Sequence, residues 1–80
     1  AANLDSVRLA KGSPVIDQRI DELDLRAKTG VSIVGIERDG ERIVNPGPEK
    51  ALLEGDRLLL LGEDTQLPKA KAELISDQSR

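Results

Sequence analysis

The stretch GVSIVGIERDGERIVNPGPEKALLEGDRLLLLG, residues 30–62, decides the fold of this eighty-residue chain. Val31–Arg38 is β-branched and apolar at Val31, Ile33, Val34 and Ile36. Gly35 sits in its middle, where a glycine lets another group approach closely or marks a bulge. Asp39-Gly40 follows, between Glu37-Arg38 and Glu41-Arg42. An Asp-Gly pair between strand-like runs predicts a two-residue hairpin, because a type I′ turn needs positive φ at both central residues. Glu41–Asn45 is the return strand, and Asn45-Pro46-Gly47-Pro48 stops it, since two of those residues lack an N–H. Glu49–Gly55 then crosses back with a leucine tucked into the core. Asp56–Leu61 reads as a strand buried on both faces, closed by Gly62.

Working outward, Leu4–Ala10 alternates weakly, with Val7 and Leu9 on one face, as in a half-buried strand. Gly12-Ser13-Pro14 breaks it. Asp17 is a plausible N-cap for a helix with Ile20, Leu23 and Ala27 on its apolar stripe, ended by Thr29-Gly30. After Gly62, Asp64 or Thr65 can cap a second helix carrying Leu67, Ala70 and Leu74, with Pro68 in its first turn. The expected fold is α+β: one β-α-β-β-β-α domain over residues 4–75, with 1–3 and 76–80 as flexible ends. A parallel, right-handed first crossover gives a mixed sheet with two helices packed on it.

Composition bounds the chemistry. A domain this short buries only about 60–65% of its unfolded surface, and with no aromatic residue, Met or Cys its core is aliphatic. Dimerisation would supplement so small a core. The absence of His and Cys removes the common zinc ligands and the Ser-His-Asp and Cys-His nucleophile systems. No phosphate loop or dinucleotide fingerprint is present, and no catalytic residue is assigned. Asp21, Glu22 and Asp24 invite a cation, but acidic residues near a helix start answer its dipole, and no metal site is assigned. The net charge of −3, with signs interspersed, argues against nucleic acid. Leu58–Leu61, the longest apolar run, is far too short to cross a bilayer. Without an initiator Met or a leader pattern, the chain reads as a piece of a longer cytosolic protein.

The polar candidates each carry two readings. With a two-residue turn, Arg38 lies opposite Glu41 and Glu37 opposite Arg42, so the two arginines point to opposite faces. They are either exposed ion pairs of a solvated hairpin or, for Arg38, a guanidinium fork for phosphate. Asn45 is either a turn residue or a reader of a polar ligand. Gly55-Asp56 reads as a turn whose carboxylate caps nearby N–H groups.

Taken in order, several pieces resemble the TrkA C-terminal domain, the C-terminal half of the module that regulates K⁺ conductance. They are Gly12-Ser13-Pro14, Glu22-Leu23-Asp24-Leu25-Arg26, Gly30-Val31 with Ile33-Val34-Gly35-Ile36, Arg38-Asp39-Gly40, Asn45-Pro46-Gly47-Pro48, Leu52-x-x-Gly55-Asp56 and Leu58–Gly62. The resemblance runs from about Val7 to Leu74. It implies a dimeric, non-catalytic regulatory domain on the cytoplasmic side of the bacterial inner membrane. The partner would be the membrane-embedded part of a K⁺ or Na⁺ transporter or cation/proton antiporter. It also implies a ligand at a dimer cleft, cyclic di-adenosine monophosphate or another nucleotide. Val34, Arg38, Ile43, Val44, Asn45 and Pro46 would line that cleft, with the apolar members against a base and Arg38 on phosphate. A purely structural dimerisation module is the alternative.

Overall fold

The structure, a computed structural model, describes residues 1–75. Four strands, β1 (Ala2–Arg8), β2 (Ser32–Arg38), β3 (Glu41–Val44) and β4 (Arg57–Glu63), form one sheet in the order β1-β4-β2-β3. Three helical pieces, α1 (Ile20–Leu23), α2 (Leu25–Thr29) and α3 (Leu67–Ile75), complete it. The β-α-β-β-β-α order is as expected, but the sheet is antiparallel throughout rather than mixed. β1 and β2 do run in the same direction, as the crossover requires. β4 slots between them and pairs antiparallel with both. The most apolar strand thereby takes the position where its N–H and C=O groups are satisfied on both sides.

β4 is buried on one face only. Leu58 and Leu60 are fully buried, whereas Leu59 is half-buried and Leu61 exposed. On the inner face Leu58 and Leu60 join Leu9, Ile36, Leu52 and, from α3, Leu67, Ala70 and Leu74. On the outer face the register sets Leu4 beside Leu61 and Leu61 beside Ser32, with Ser6, Leu59, Gly35 and Val44 in the next rung. Gly35 has a packing reason: a Cβ there would lie 3.0 Å from Leu59 Cδ1, so the leucine lies across it. The register shift between Ile33 and Gly35 makes Val34 the extra residue of a bulge.

The first helix is less regular than its periodicity suggests. Asp17 is no N-cap: its φ is 72°, and its N–H bonds the Leu52 carbonyl at 2.7 Å. The cap is Arg19, whose N–H donates to Glu22 Oε1 at 2.7 Å. Asp24, with φ 52°, divides the segment into α1 and α2. That break turns Leu25 into the core in place of the expected Ala27, which is exposed. The N-terminal segment expected to be free enters β1 at Ala2, paired with Glu63. The expected C-terminal flexible end, 76–80, lies outside the described residues. Ser13 Oγ donates to the Leu74 carbonyl at 2.6 Å and ties the first loop to α3. Lys71 on α3 meets Asp5 on β1 at 2.7 Å, and that hydrogen bond holds the Asp5 carboxyl below its ordinary pKa.

Candidate functional site

The hairpin closes as the Asp-Gly pair predicts. Asp39 and Gly40 have φ of 52° and 80°, as a type I′ turn demands, and Arg38 lies opposite Glu41 with Glu37 opposite Arg42. The two arginines point to opposite faces and meet different fates. Arg42 Nη2 donates to Glu37 Oε2 at 2.9 Å on the outer, solvated face. Arg38 shares the inner face with Ile36 and turns toward Asp56. Its Nε donates to Asp56 Oδ1 at 2.8 Å and its Nη2 to Oδ2 at 2.7 Å. Nη2 also reaches the Ala51 carbonyl at 2.9 Å.

Asp56 is 1% exposed, and its Oδ2 also accepts the Leu53 N–H at 2.9 Å. Burial alone pushes its carboxyl up; the Arg38 fork and the Leu53 N–H outweigh that, and the pKa lies below the ordinary value. The same hydrogen bonds raise Arg38 further. The capping role expected of Asp56 is present. The clamp on Arg38 is the role that sequence reasoning missed. The available signal was parity: the turn register puts Arg38 on the Ile36 side, and an inward arginine needs a buried acid.

The other candidate residues separate into two groups. Val34, Val44, Asn45 and Pro46 gather at the open end of the hairpin. Asn45, in the left-handed region with φ 48°, donates its N–H to the Val34 carbonyl at 2.9 Å. Its side chain is exposed, as is that of Val44. Pro46 lines an open depression of about 460 Å³ with Ile20, Leu25, Ile33 and Pro48. Ile43 instead faces the core, where it packs half-buried. Arg38 stands at the turn end, four residues along β2 from Val34, roughly 13 Å at strand spacing. One copy of the chain therefore does not gather all six into a single pocket. Among the described residues no cluster of carboxylates is arranged to hold a metal ion, and no helix is long and apolar enough to cross a membrane.

Comparison with known proteins gives these features a family. A putative K⁺ efflux antiporter KefB of Alkalimonas amylolytica is 39% identical over 71 residues, covering 89% of this chain and 11% of the antiporter. The chain spans less than half the length of each curated relative it matches. Among solved structures, the RCK C domain of the potassium transport protein KtrA, in complex with cyclic di-adenosine monophosphate, superposes with a TM-score of 0.82. It is 29% identical, over 91% of this chain and 84% of that one. The RCK C domain dimer of Streptococcus agalactiae BusR, with the same ligand, has a TM-score of 0.80 and 28% identity, over 88% of this chain and 92% of that one. BusR has also been solved on promoter DNA, where the likeness covers 36% of its chain. The TrkA-C domain model matches residues 5–75. The chain belongs to the TrkA-C domain family.

Proposed function

We propose that this chain is a non-catalytic regulatory domain of a bacterial K⁺ or Na⁺/proton transport system. It works as a homodimer on the cytoplasmic side of the inner membrane and binds a nucleotide-type ligand, cyclic di-adenosine monophosphate, at a cleft between two copies. The observation that carries this reading is the cluster at the open end of the hairpin, where Val44 and Asn45 are exposed and Val34 and Pro46 half-buried. It occurs in a domain whose two likenesses above hold that ligand. The half-exposed apolar side chains suit the face of a base, and the Asn45 amide suits a base edge.

Regulation follows only if the ligand prefers one dimer arrangement to another. The membrane-embedded partner would then feel the change in geometry. Arg38 enters the site already held by Asp56. A phosphate must use the guanidinium edge left over, or displace a buried carboxylate.

Thermal unfolding followed by circular dichroism, with a panel of cyclic di-adenosine monophosphate, AMP, ATP and NADH, tests the reading. A ligand at a hundred times its Kd adds about 2.7 kcal/mol, which raises the midpoint of so small a domain by roughly 10 °C or more. Asn45→Gly keeps the left-handed backbone while deleting the amide, and is expected to abolish the shift. A midpoint unmoved by saturating ligand overturns the ligand reading.

A further inference from the structure

The helices cover one face of the sheet and leave the other open. One end of the open face carries a charged rung across all four strands. Arg8 lies opposite Arg57, Arg57 opposite Glu37, and Glu37 opposite Arg42. Three cations against one carboxylate leave that rung at +2 in a chain whose net charge is −3. Both oxygens of Glu37 are already engaged, Oε2 by Arg42 at 2.9 Å and Oε1 by Arg57 at 3.9 Å. Among the described residues no ion pair includes Arg8.

The strand pairing sharpens the conflict between Arg8 and Arg57. Leu9 gives its N–H to the Asp56 carbonyl and accepts the Gly55 N–H, so backbone alternation turns the polar groups of Arg8 away from β4. Ser6, turned the same way, gives its N–H to the Asp5 carboxylate instead. Arg8 and Arg57 therefore form a non-hydrogen-bonded pair, the kind whose Cα atoms stand only about 4.5 Å apart and whose side chains are closest. Like charges so placed destabilise a sheet. Nothing in the core requires arginine at either position, since both side chains are exposed.

We propose that Arg8 and Arg57 form a binding site for a single phosphate group, either inorganic phosphate or the dianionic end of a phosphomonoester. They line one end of a depression of about 520 Å³ that runs to the hairpin turn. Two guanidinium forks match the several oxygens of a phosphate dianion, whereas a carboxylate is satisfied by one. No large apolar side chain lines the depression, so the site reads charge rather than a base. Asp39 and Glu41 line its turn end and repel a second phosphate, which disfavours polyphosphates. The site stands apart from the nucleotide cluster around Val34 and does not depend on that reading.

Titration of the eighty-residue chain with inorganic phosphate, against chloride at matched ionic strength, tests this by NMR of the arginine Nε–Hε groups. The Arg8 and Arg57 signals are expected to shift together and to saturate. Arg8→Gln should weaken the binding about tenfold, the scale of one hydrogen bond to a charged group. In phosphate-free buffer the same variant should melt higher than wild type, because it relieves the like-charge pair. Added phosphate should raise the wild-type midpoint more than the variant's; its general exclusion from protein surface acts equally on both. Asn45→Gly should leave the phosphate response intact, which separates this site from the nucleotide reading. Phosphatidylcholine vesicles carrying phosphatidic acid distinguish the source. Capture by those vesicles without a response to inorganic phosphate, lost in Arg8→Gln, assigns the phosphate to a lipid headgroup. Signals that move no more in phosphate than in chloride, with no such capture, overturn the inference. A lower midpoint for Arg8→Gln without phosphate would overturn it as well.

Discussion

Arg38 and Arg42 flank the same turn, yet they belong to different physical regimes. Arg42 and its partner Glu37 lie on the open face, where water screens them and pairing contributes little. Arg38 lies on the helix side of the sheet, 22% exposed, against an acid that is 1% exposed. There Asp56 has lost its hydration and Arg38 much of its own, and the carboxylate depends on the guanidinium. Identical side chains four residues apart thus differ because the hairpin register sends one inward. The leucines of β4 divide the same way, with Leu58 and Leu60 in the core and Leu59 and Leu61 turned out.

The strongest way to break this contrast is Asp56→Ala. It leaves Arg38 desolvated and frees the Leu53 N–H, and is expected to cost about 3–5 kcal/mol. For a domain this small that is a large part of its stability. Urea denaturation followed by circular dichroism measures it, since the chain has no Trp or Tyr. A loss below 1 kcal/mol would show that the pair is not the inner lock described.

Next in size, Leu60→Ala should cost about 2–5 kcal/mol through the cavity it leaves. Leu61→Ala should cost a small fraction of that in the monomer. Equal losses would contradict the one-sided burial of β4.

The pH dependence is a finer test. The folded carboxyl of Asp56 lies below its ordinary value of 3.8, so its stabilisation is fully present above that value and is lost as pH falls through the folded pKa. The urea midpoint should hold steady from neutral pH down to the ordinary carboxylate range and decline below it. Asp56→Asn should be less stable at neutral pH and should show a shallower acid decline. Asp5, also depressed by Lys71, contributes to the decline that remains.

The smallest effect belongs to Arg42→Ala, expected within about 1 kcal/mol and shrinking in high salt. A large loss would place Arg42 in the same class as Arg38.

Much of this was legible in the residues. The Asp-Gly turn, the hairpin register and the opposed arginines follow from local rules that hold within a few residues. The order of elements followed too, whereas the shared cleft of Val34, Arg38, Ile43, Val44, Asn45 and Pro46 was implied by the resemblance alone, and one copy of the chain does not gather them. What escaped reading was set by tertiary contact. The central place of β4 depends on which strand best satisfies two neighbours, a competition no local pattern reports. Asp17 looks like a cap, but its N–H is taken by Leu52, thirty-five residues away. Ala27 fits the helical period, yet the left-handed turn at Asp24 rotates Leu25 into its place. Arg38 looked free for phosphate because Asp56, its partner, stands eighteen residues along the chain.

The central place of β4 also governs when the domain can form. β1 spans residues 2–8 and β4 spans 57–63, so the first strand made must wait for the last strand before it has a neighbour. Such distant pairings slow folding, because the closure entropy is spent before the contacts form. During synthesis the β2–β3 hairpin can close early and set Ile36 beside Ile43, but Val7 and the other flank of Ile36 wait for Leu58. A chain cut short before Arg57 would hold a hairpin and helix fragments with no sheet to bury them. The sheet therefore waits for β4, and the core for α3 behind it.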